Sequence, residues 1–296
     1  RIQNQMFTNV NLMVRSGIYF IERECREIDA AIDRANIARR SVDYIIQSAV
    51  VVFNDGPFDS SFRENEIINR MEYALKHHEF KVYLQPKLSL KDHSLTGAEA
   101  LVRWQREDGT IIAPGEFLPL FEKNGFISQM DLSIFRQVCR KLREWLDKGV
   151  RPVCISLNLS SVDICVKGIL EEILEGTKKY GIDHRYLEFE LTESIFFDSH
   201  QIQRVRDAIQ RMHELGFACS LDDFGSGFSS LGLLKEFDVD SIKMDRSFFL
   251  NMSGPKAREV IACLVDLAKR LKVKTVAEGI EDWDTVEYLK SIGCNM

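Results

Sequence analysis

From about Phe80 to the end of the chain, short apolar runs with alternating polar positions are separated by longer stretches in which apolar residues recur every three or four positions. The first kind predicts strands at 81–90, 98–104, 153–160, 186–193, 218–223, 241–245 and 274–278. The second predicts amphipathic helices. Over 131–146, Leu132, Phe135, Val138, Leu142 and Trp145 fall on one face, and Gly149 follows as a stop. Over 258–271, Val260, Ile261, Leu264, Val265, Ala268 and Leu271 repeat the pattern behind Pro255, a natural helix opener. Strands alternating with helices are the signature of parallel βα units, and this number of them suits a TIM-like (β/α)8 barrel better than an open sheet.

Residues 1–62 have a different texture. An apolar-rich run at 10–21, an amphipathic run at 28–40 and a short apolar run Val50–Phe53 predict strand, helix and strand. That is too little to bury an independent core, so this stretch reads as a partial α+β fragment. The polar cluster Asn54–Ser61 reads as a loop leading into a helical stretch 62–78, the predicted joint with the main domain at 63–296.

Composition narrows the classes of function. The 296 residues hold one barrel, which takes roughly 250 residues, plus a fragment. A 45% hydrophobic and 28% charged chain without low-complexity tracts reads as a soluble globular protein. The formal net charge of −6 provides no broad basic face, so binding to a nucleic-acid polymer or an anionic lipid surface lacks its usual driving force. No apolar run approaches the roughly 20 residues that span a bilayer, and the first residues do not read as a signal peptide. Seven cysteines, Cys25, Cys139, Cys154, Cys165, Cys219, Cys263 and Cys294, form no Cys-x-x-Cys pair and read as reduced core residues of a cytoplasmic protein.

Acidic and amide residues recur where barrels carry their chemistry, at the carboxyl ends of strands. Glu99 sits on the second predicted strand of the main domain; Asn158, Glu190, Asp222 with Asp223, and Lys243 with Asp245 lie at or near the ends of later ones; Glu278 ends the last. Any one of these is as readily a helix N-cap or an exposed strand position. Their repetition along one rim points instead to hard divalent cations, which take carboxylate and amide oxygens. Adjacent Asp222 and Asp223 suit an arrangement in which one carboxylate bridges two ions and the other serves one, as in two-metal phosphodiester chemistry. Lys243 would neutralise charge or orient water there. By contrast, His77 and His78 are neighbours on a predicted helix and cannot share a metal, and Gly225-Ser226-Gly227 lacks the pattern of a phosphate-binding loop and reads as a glycine-hinged loop at the site.

The ordered motifs carry a resemblance. Glu99-Ala100-Leu101-Val102-Arg103-Trp104 resembles the signature of the EAL family of cyclic di-GMP phosphodiesterases. Leu84-Gln85-Pro86, Ala113-Pro114-Gly115-Glu116-Phe117, Ser156-Leu157-Asn158-Leu159-Ser160, Glu190-Leu191-Thr192-Glu193-Ser194, Asp222-Asp223-Phe224-Gly225-Ser226-Gly227, Lys243-Met244-Asp245 and Ala277-Glu278-Gly279 follow in that family's order, from about residue 64 to 296. The resemblance implies a TIM-like barrel that hydrolyses cyclic di-GMP to linear pGpG with two Mg2+ or Mn2+ ions. It assigns Glu99, Asn158, Glu190, Asp222 and Asp223 to the metals, Lys243 to the attacking water and Glu278 to the metal-water network. Gln85, Leu101, Arg103 and Asp245 are assigned to substrate, and Glu193 to steadying the loop 223–229. Calcium, larger and looser in its coordination, is expected to occupy the site and inhibit.

Residues 1–62 resemble the closing third of a GGDEF domain through Val14–Tyr19 and Ile28–Arg39, but the cyclase signature is absent from the sequence, so synthesis of cyclic di-GMP is not expected. At Gly293-Cys294-Asn295-Met296 the family pattern continues into a last strand and helix, including a further substrate-contacting glutamine. The family also implies a homodimer through the barrel. Two other readings compete: a catalytically silent cyclic di-GMP receptor, which the intact acidic set argues against, and a metal-dependent aldolase or lyase barrel, which leaves the ordered motifs unexplained.

Overall fold

Residues 15–20, 28, 31, 32, 35, 36, 39, 49–52, 55–160, 168–192, 199–225, 230–249, 252 and 254–296 are described by the structure, a computed structural model. It divides into two compact units, residues 1–71 and 72–296. In the first, β1 (Arg15–Ile18) pairs in parallel with β2 (Ala49–Val52), Arg15 opposite Ala49 and Ile18 opposite Val52. Parallel neighbours need a crossover, and residues 28, 31, 32, 35, 36 and 39 between them are helical. Helix α1 (Asp55–Lys76) starts well before the expected 62. The cluster read as a loop is mostly its first turns, where Asp55 and Pro57 are residues that a helix start favours.

The second unit opens with a departure from the predicted parallel order. Strands β3 (Phe80–Leu88) and β4 (Leu95–Gln105) form an antiparallel hairpin, with Phe80 opposite Trp104 and Gln85 opposite Glu99. The connection over 89–94 is too short for a crossover, which takes a dozen or more residues, so the strands have to turn back on each other. Strand β5 (Ile111–Ile112) adds antiparallel to β4. From there the βα alternation holds. Helices α2 (Pro114–Asn124) and α3 (Ile127–Asp147) precede β6 (Cys154–Asn158); α4 (Ile169–Tyr180) precedes β7 (Leu187–Thr192); α5 (Ser199–Glu214) precedes β8 (Ala218–Phe224). Then come α6 (Ser230–Glu236), β9 (Ser241–Met244), α7 (Pro255–Leu271), β10 (Lys274–Ala277) and α8 (Trp283–Ile292).

The sheet order is β10-β9-β8-β7-β6-β4-β3, parallel from β4 to β10, and it curls into a TIM-like half-barrel. At its two ends the chain is bridged by Asn295 and Met296. Met296 exchanges backbone hydrogen bonds with Thr275 and Ala277 at 3.1 and 2.8 Å, and Leu90 N–H donates to Asn295 O at 3.0 Å.

Alternation along the strands sorts two populations. Ile155, Leu157, Phe189, Leu191, Cys219, Leu221 and Ile242 are buried beneath the helices; Leu157 and Phe189 face Phe135 and Ile173, and Cys219 Sγ lies 3.5 Å from Met212 Sδ. The intervening positions carry Ser156, Asn158, Glu188, Glu190, Ser220, Asp222, Ser241 and Lys243, which line the inside of the curl. The apolar core is therefore an outer ring. At one end it gathers Phe80, Trp104, Phe117, Phe121 and Phe126, all buried, with neighbouring ring centres 4.8–6.4 Å apart. Trp104 Nε1–H donates to the buried carboxylate of Glu79 at 2.8 Å.

Two expectations about burial need correction. Cys263 is exposed, whereas Cys139, Cys219 and Cys294 are buried; Cys25 and Cys165 lie outside the described residues. In α7, Val260 and Leu271 are about half exposed, because Ile261, Leu264, Val265 and Ala268 already form the buried stripe and those two lie at its margin.

Candidate metal and active site

Three carboxylates from three strands converge inside the curl. Oxygens of Glu99, Glu190 and Asp222 all lie within 4.8 Å of one another. Each comes from the inward face of its strand: Glu99 from β4, Glu190 from β7 and Asp222 from β8. Asn158 from β6 donates its side-chain amide to Glu99 Oε1 at 3.1 Å. Lys243 from β9 fills the centre. Its Nζ stands 2.6 Å from Glu190 Oε2, 2.8 Å from Asp222 Oδ1, 2.9 Å from Glu278 Oε1 and 3.0 Å from Glu99 Oε2. An ammonium has three N–H donors, so four acceptors hold it by its charge as much as by directed hydrogen bonds. The cluster is in this sense already a cation site, and its all-oxygen donor set is the kind that hard divalent ions take.

Burial and mutual repulsion shape the titration of these groups. Burial pushes the Glu99 carboxyl up to about 7, the charge of Glu190 adds to the shift, and Lys243 opposes it. Glu278 is also raised by burial against the pull of Lys243. For Lys243 burial works against the charge, but Glu190, Asp222, Glu99 and Glu278 together outweigh it, so the ammonium is held above its ordinary range.

Asp223 breaks the alternation. Its φ of +54° is left-handed, and the pairing of β8 with β9 shifts register between Leu221 and Phe224. Without that irregularity Asp223 would share the buried outer face with Leu221; instead it is exposed, and Phe224 takes the buried place. Asp223 is not among the three converging carboxylates. Two residues on, Gly225 has φ +97°, and a Cβ there would stand 1.8 Å from the Phe248 ring, so only glycine fits. Glu193 and Ser226–Ser229 lie outside the described residues.

Beside the cluster a cavity of about 590 Å³ runs between β3 and β10. Gln85, Leu101, Asp245, Glu99 and Glu278 line it. Arg103 does not; its guanidinium donates to Val102 O at 2.8 Å and lies 6.0 Å from the Tyr83 ring centre. Asp245 also caps the short turn Arg246–Phe248, accepting from Ser247 N–H at 2.9 Å; hydrogen bonding by the Ser247 side chain, and to a lesser degree by this backbone N–H, holds its carboxyl below the usual range.

Sequence reasoning missed a layer directly beneath this site. Lys87 Nζ reaches Glu190 Oε1 at 2.7 Å and Ser156 Oγ at 2.6 Å; the Ser156 hydroxyl donates to Glu188 Oε2 at 2.5 Å and that of Ser241 to Glu188 Oε1 at 2.7 Å. A signal was present: Ser156, Glu188, Ser220 and Ser241 each stand two residues before a residue of the upper cluster, hence on the same strand face.

Comparison with known proteins agrees with the geometry. The family model described as the EAL domain matches residues 68–296. MucR of Pseudomonas aeruginosa, named a bifunctional diguanylate cyclase/cyclic di-GMP phosphodiesterase, is 31% identical over 244 residues, which cover 80% of this chain and 35% of MucR. PdeB of Escherichia coli, named a probable cyclic di-GMP phosphodiesterase, is 34% identical over 225 residues, 76% of this chain and 42% of that protein. The chain thus spans well under half the length of these relatives. The structure of the MucR phosphodiesterase in complex with cyclic di-GMP superposes with a TM-score of 0.71 at 30% identity, covering 78% of this chain and 93% of that one.

Proposed function

The chain belongs to the EAL domain family, and from that premise we propose that it hydrolyses cyclic di-GMP to linear pGpG. The observation that carries this reading is the convergence of Glu99, Glu190 and Asp222 around Lys243, in a chain similar over most of its length to cyclic di-GMP phosphodiesterases. Water adds across one phosphodiester bond; the phosphorus keeps the incoming oxygen, and the departing ribose oxygen leaves as a hydroxyl.

In this assignment Glu99, Asn158, Glu190 and Asp222 hold two Mg2+ or Mn2+ ions, with Asp223 completing the second. Those ions, when bound, supply an activated water and stabilise the leaving oxygen. Lys243 holds the attacking water through its ammonium, and Glu278, 2.9 Å from that ammonium, keeps it in place. Gln85, Leu101 and Asp245 line the cavity in which the nucleotide would lie. By the family assignment alone, Arg103, which stands outside that cavity, would reach a phosphate and Glu193 would steady the loop 223–229. Calcium binds the same oxygens but tolerates longer distances and irregular geometry, so it inhibits. Residues 1–62 are read as a GGDEF remnant without cyclase activity, ahead of a barrel domain at 63–296. We extend the reading to a homodimer through the barrel and to a cytoplasmic location; sedimentation analysis tests the first. Among the described residues no helix is long and apolar enough to cross a membrane.

The decisive experiment is incubation with cyclic di-GMP and magnesium, manganese or calcium, followed by chromatography of the products. Linear pGpG is expected with the first two ions, and binding without cleavage with calcium. Binding without cleavage in all three would replace the phosphodiesterase with a silent receptor.

A further inference from the structure

Glu190 has no solvent exposure, and its two oxygens are divided between two lysines. Oε2 faces Lys243 at 2.6 Å, on the side where the other carboxylates converge. Oε1 faces Lys87 at 2.7 Å, on the layer beneath. Lys87 is itself enclosed, its side chain 9% exposed; it donates to Glu190 Oε1 and Ser156 Oγ, and Glu188 Oε2 stands 3.5 Å away as a further ion-pair partner. Ser156 passes this order on by donating to Glu188, whose other oxygen Ser241 holds. Lys87, Ser156 and Ser241 thus each donate to a partner in this layer.

The antiparallel course of β3 makes the arrangement available. Gln85 lies opposite Glu99 at the level of the carboxylates, and the next inward residue, Lys87, descends opposite Gly97. A Cβ at Gly97 would stand 2.9 Å from Cys154 O, so the glycine permits the close approach of β4 to β6, and the Lys87 stem passes the same spot with Cδ at a van der Waals distance of 4.0 Å.

We propose that Lys87 is a positioning residue for the metal site: it occupies Glu190 Oε1 permanently and leaves Oε2 as the one oxygen Glu190 offers to a divalent ion. The inference rests on the reading of Glu190 as a metal ligand. Lys243 is bound to four carboxylates of the upper cluster and has to share them with an arriving cation, whereas Lys87 bonds from the opposite side and stays. A carboxylate held on one oxygen cannot swing into bidentate binding, which fixes both the direction and the number of ligand atoms. Groups of this kind, which orient ligands from behind, typically cost about 10–100-fold in metal affinity or activity when removed.

The test uses Lys87→Met, Lys87→Arg and Glu190→Gln in the full chain, with manganese affinity measured by calorimetry, turnover of cyclic di-GMP resolved into kcat and KM, and melting without metal. Lys87→Met should bind manganese at least tenfold more weakly and lose kcat at nearly unchanged KM, with Lys87→Arg recovering part of both. If Glu190→Gln leaves manganese binding unaltered, the ligand reading of Glu190 fails. If Glu190→Gln weakens it while Lys87→Met matches the wild type, that reading stands and the role of Lys87 is overturned. Should Lys87→Met fail to fold, the crystal structure of the manganese-bound wild type decides: Glu190 bound through Oε2 alone with Lys87 on Oε1 upholds the inference, and bidentate Glu190 or a displaced Lys87 refutes it.

Discussion

The ammonium of Lys243 sits 2.6 Å from Glu190 Oε2, at the point where the carboxylates of three strands meet. In the metal-free protein this lysine is the counter-charge that Glu99, Glu190, Asp222 and Glu278 share, while Lys87 pairs with Glu190 from the opposite side. Lys243→Met should therefore destabilise the metal-free protein by about 3–5 kcal/mol, the cost of stripping one partner from a buried ion pair. Magnesium should restore more stability to the variant than to the wild type. Denaturant unfolding with and without the ion measures both, and a variant as stable as wild type without metal would contradict this account.

A second expectation concerns pH. Burial raises the Glu99 carboxyl from 4.5 to about 7, so between those values the folded protein binds more protons than the unfolded chain. Stability of the metal-free protein should consequently fall as pH rises through that window. Metal binding should run the other way, since a divalent ion needs the ionised carboxylate: affinity grows up to about pH 7 and then levels off. Manganese calorimetry across the window follows the second trend, and Glu99→Gln should flatten the first.

Trp104 lies within the matched motif yet serves the core. Its ring is fully buried among Phe80, Phe117 and Phe121, and its N–H is bound to Glu79. Trp104→Ala should cost about 3–5 kcal/mol, and Trp104→Phe about 1.5–3 kcal/mol through the lost hydrogen bond to a carboxylate. Thermal unfolding reads both. Lost turnover in a protein of unaltered stability would instead give the indole a part in the site.

Ser220 and Ser156 offer a paired test inside the curl. Both are buried, but the Ser156 hydroxyl links Lys87 to Glu188, whereas that of Ser220 has no hydrogen-bond partner among the described residues. Ser156→Ala should destabilise by about 1–3 kcal/mol; Ser220→Ala should be neutral or stabilising by up to about 1 kcal/mol. A clear loss of stability in Ser220→Ala would reveal a partner for that hydroxyl.

Much of this was legible in the chain because β6, β7 and the first part of β8 alternate inward polar with outward apolar positions. The predicted strand 153–160 became Cys154–Asn158, and 186–193 became Leu187–Thr192, each with its polar positions inward. What stayed hidden depends on geometry that period two does not encode. The antiparallel turn of β3 onto β4 follows from connection length, and the exposure of Asp223 follows from a left-handed residue beside a register shift. Lys87 escaped notice for a related reason: at the end of a strand of mixed polarity, it becomes interpretable only once β3 is known to run downward past Gly97.

The outer ring of apolar side chains and the inner file of polar ones occupy alternate positions of the same strands. A strand that slipped by one residue would carry Glu190 under the helices and Leu191 into the lumen, losing its adhesion and its ligand together. Correct pairing and a working site are thus proofread by a single event. Occupancy of the cluster by a cation would report on register: a misthreaded barrel would forfeit the ion, and the ion would in turn reward the correct threading.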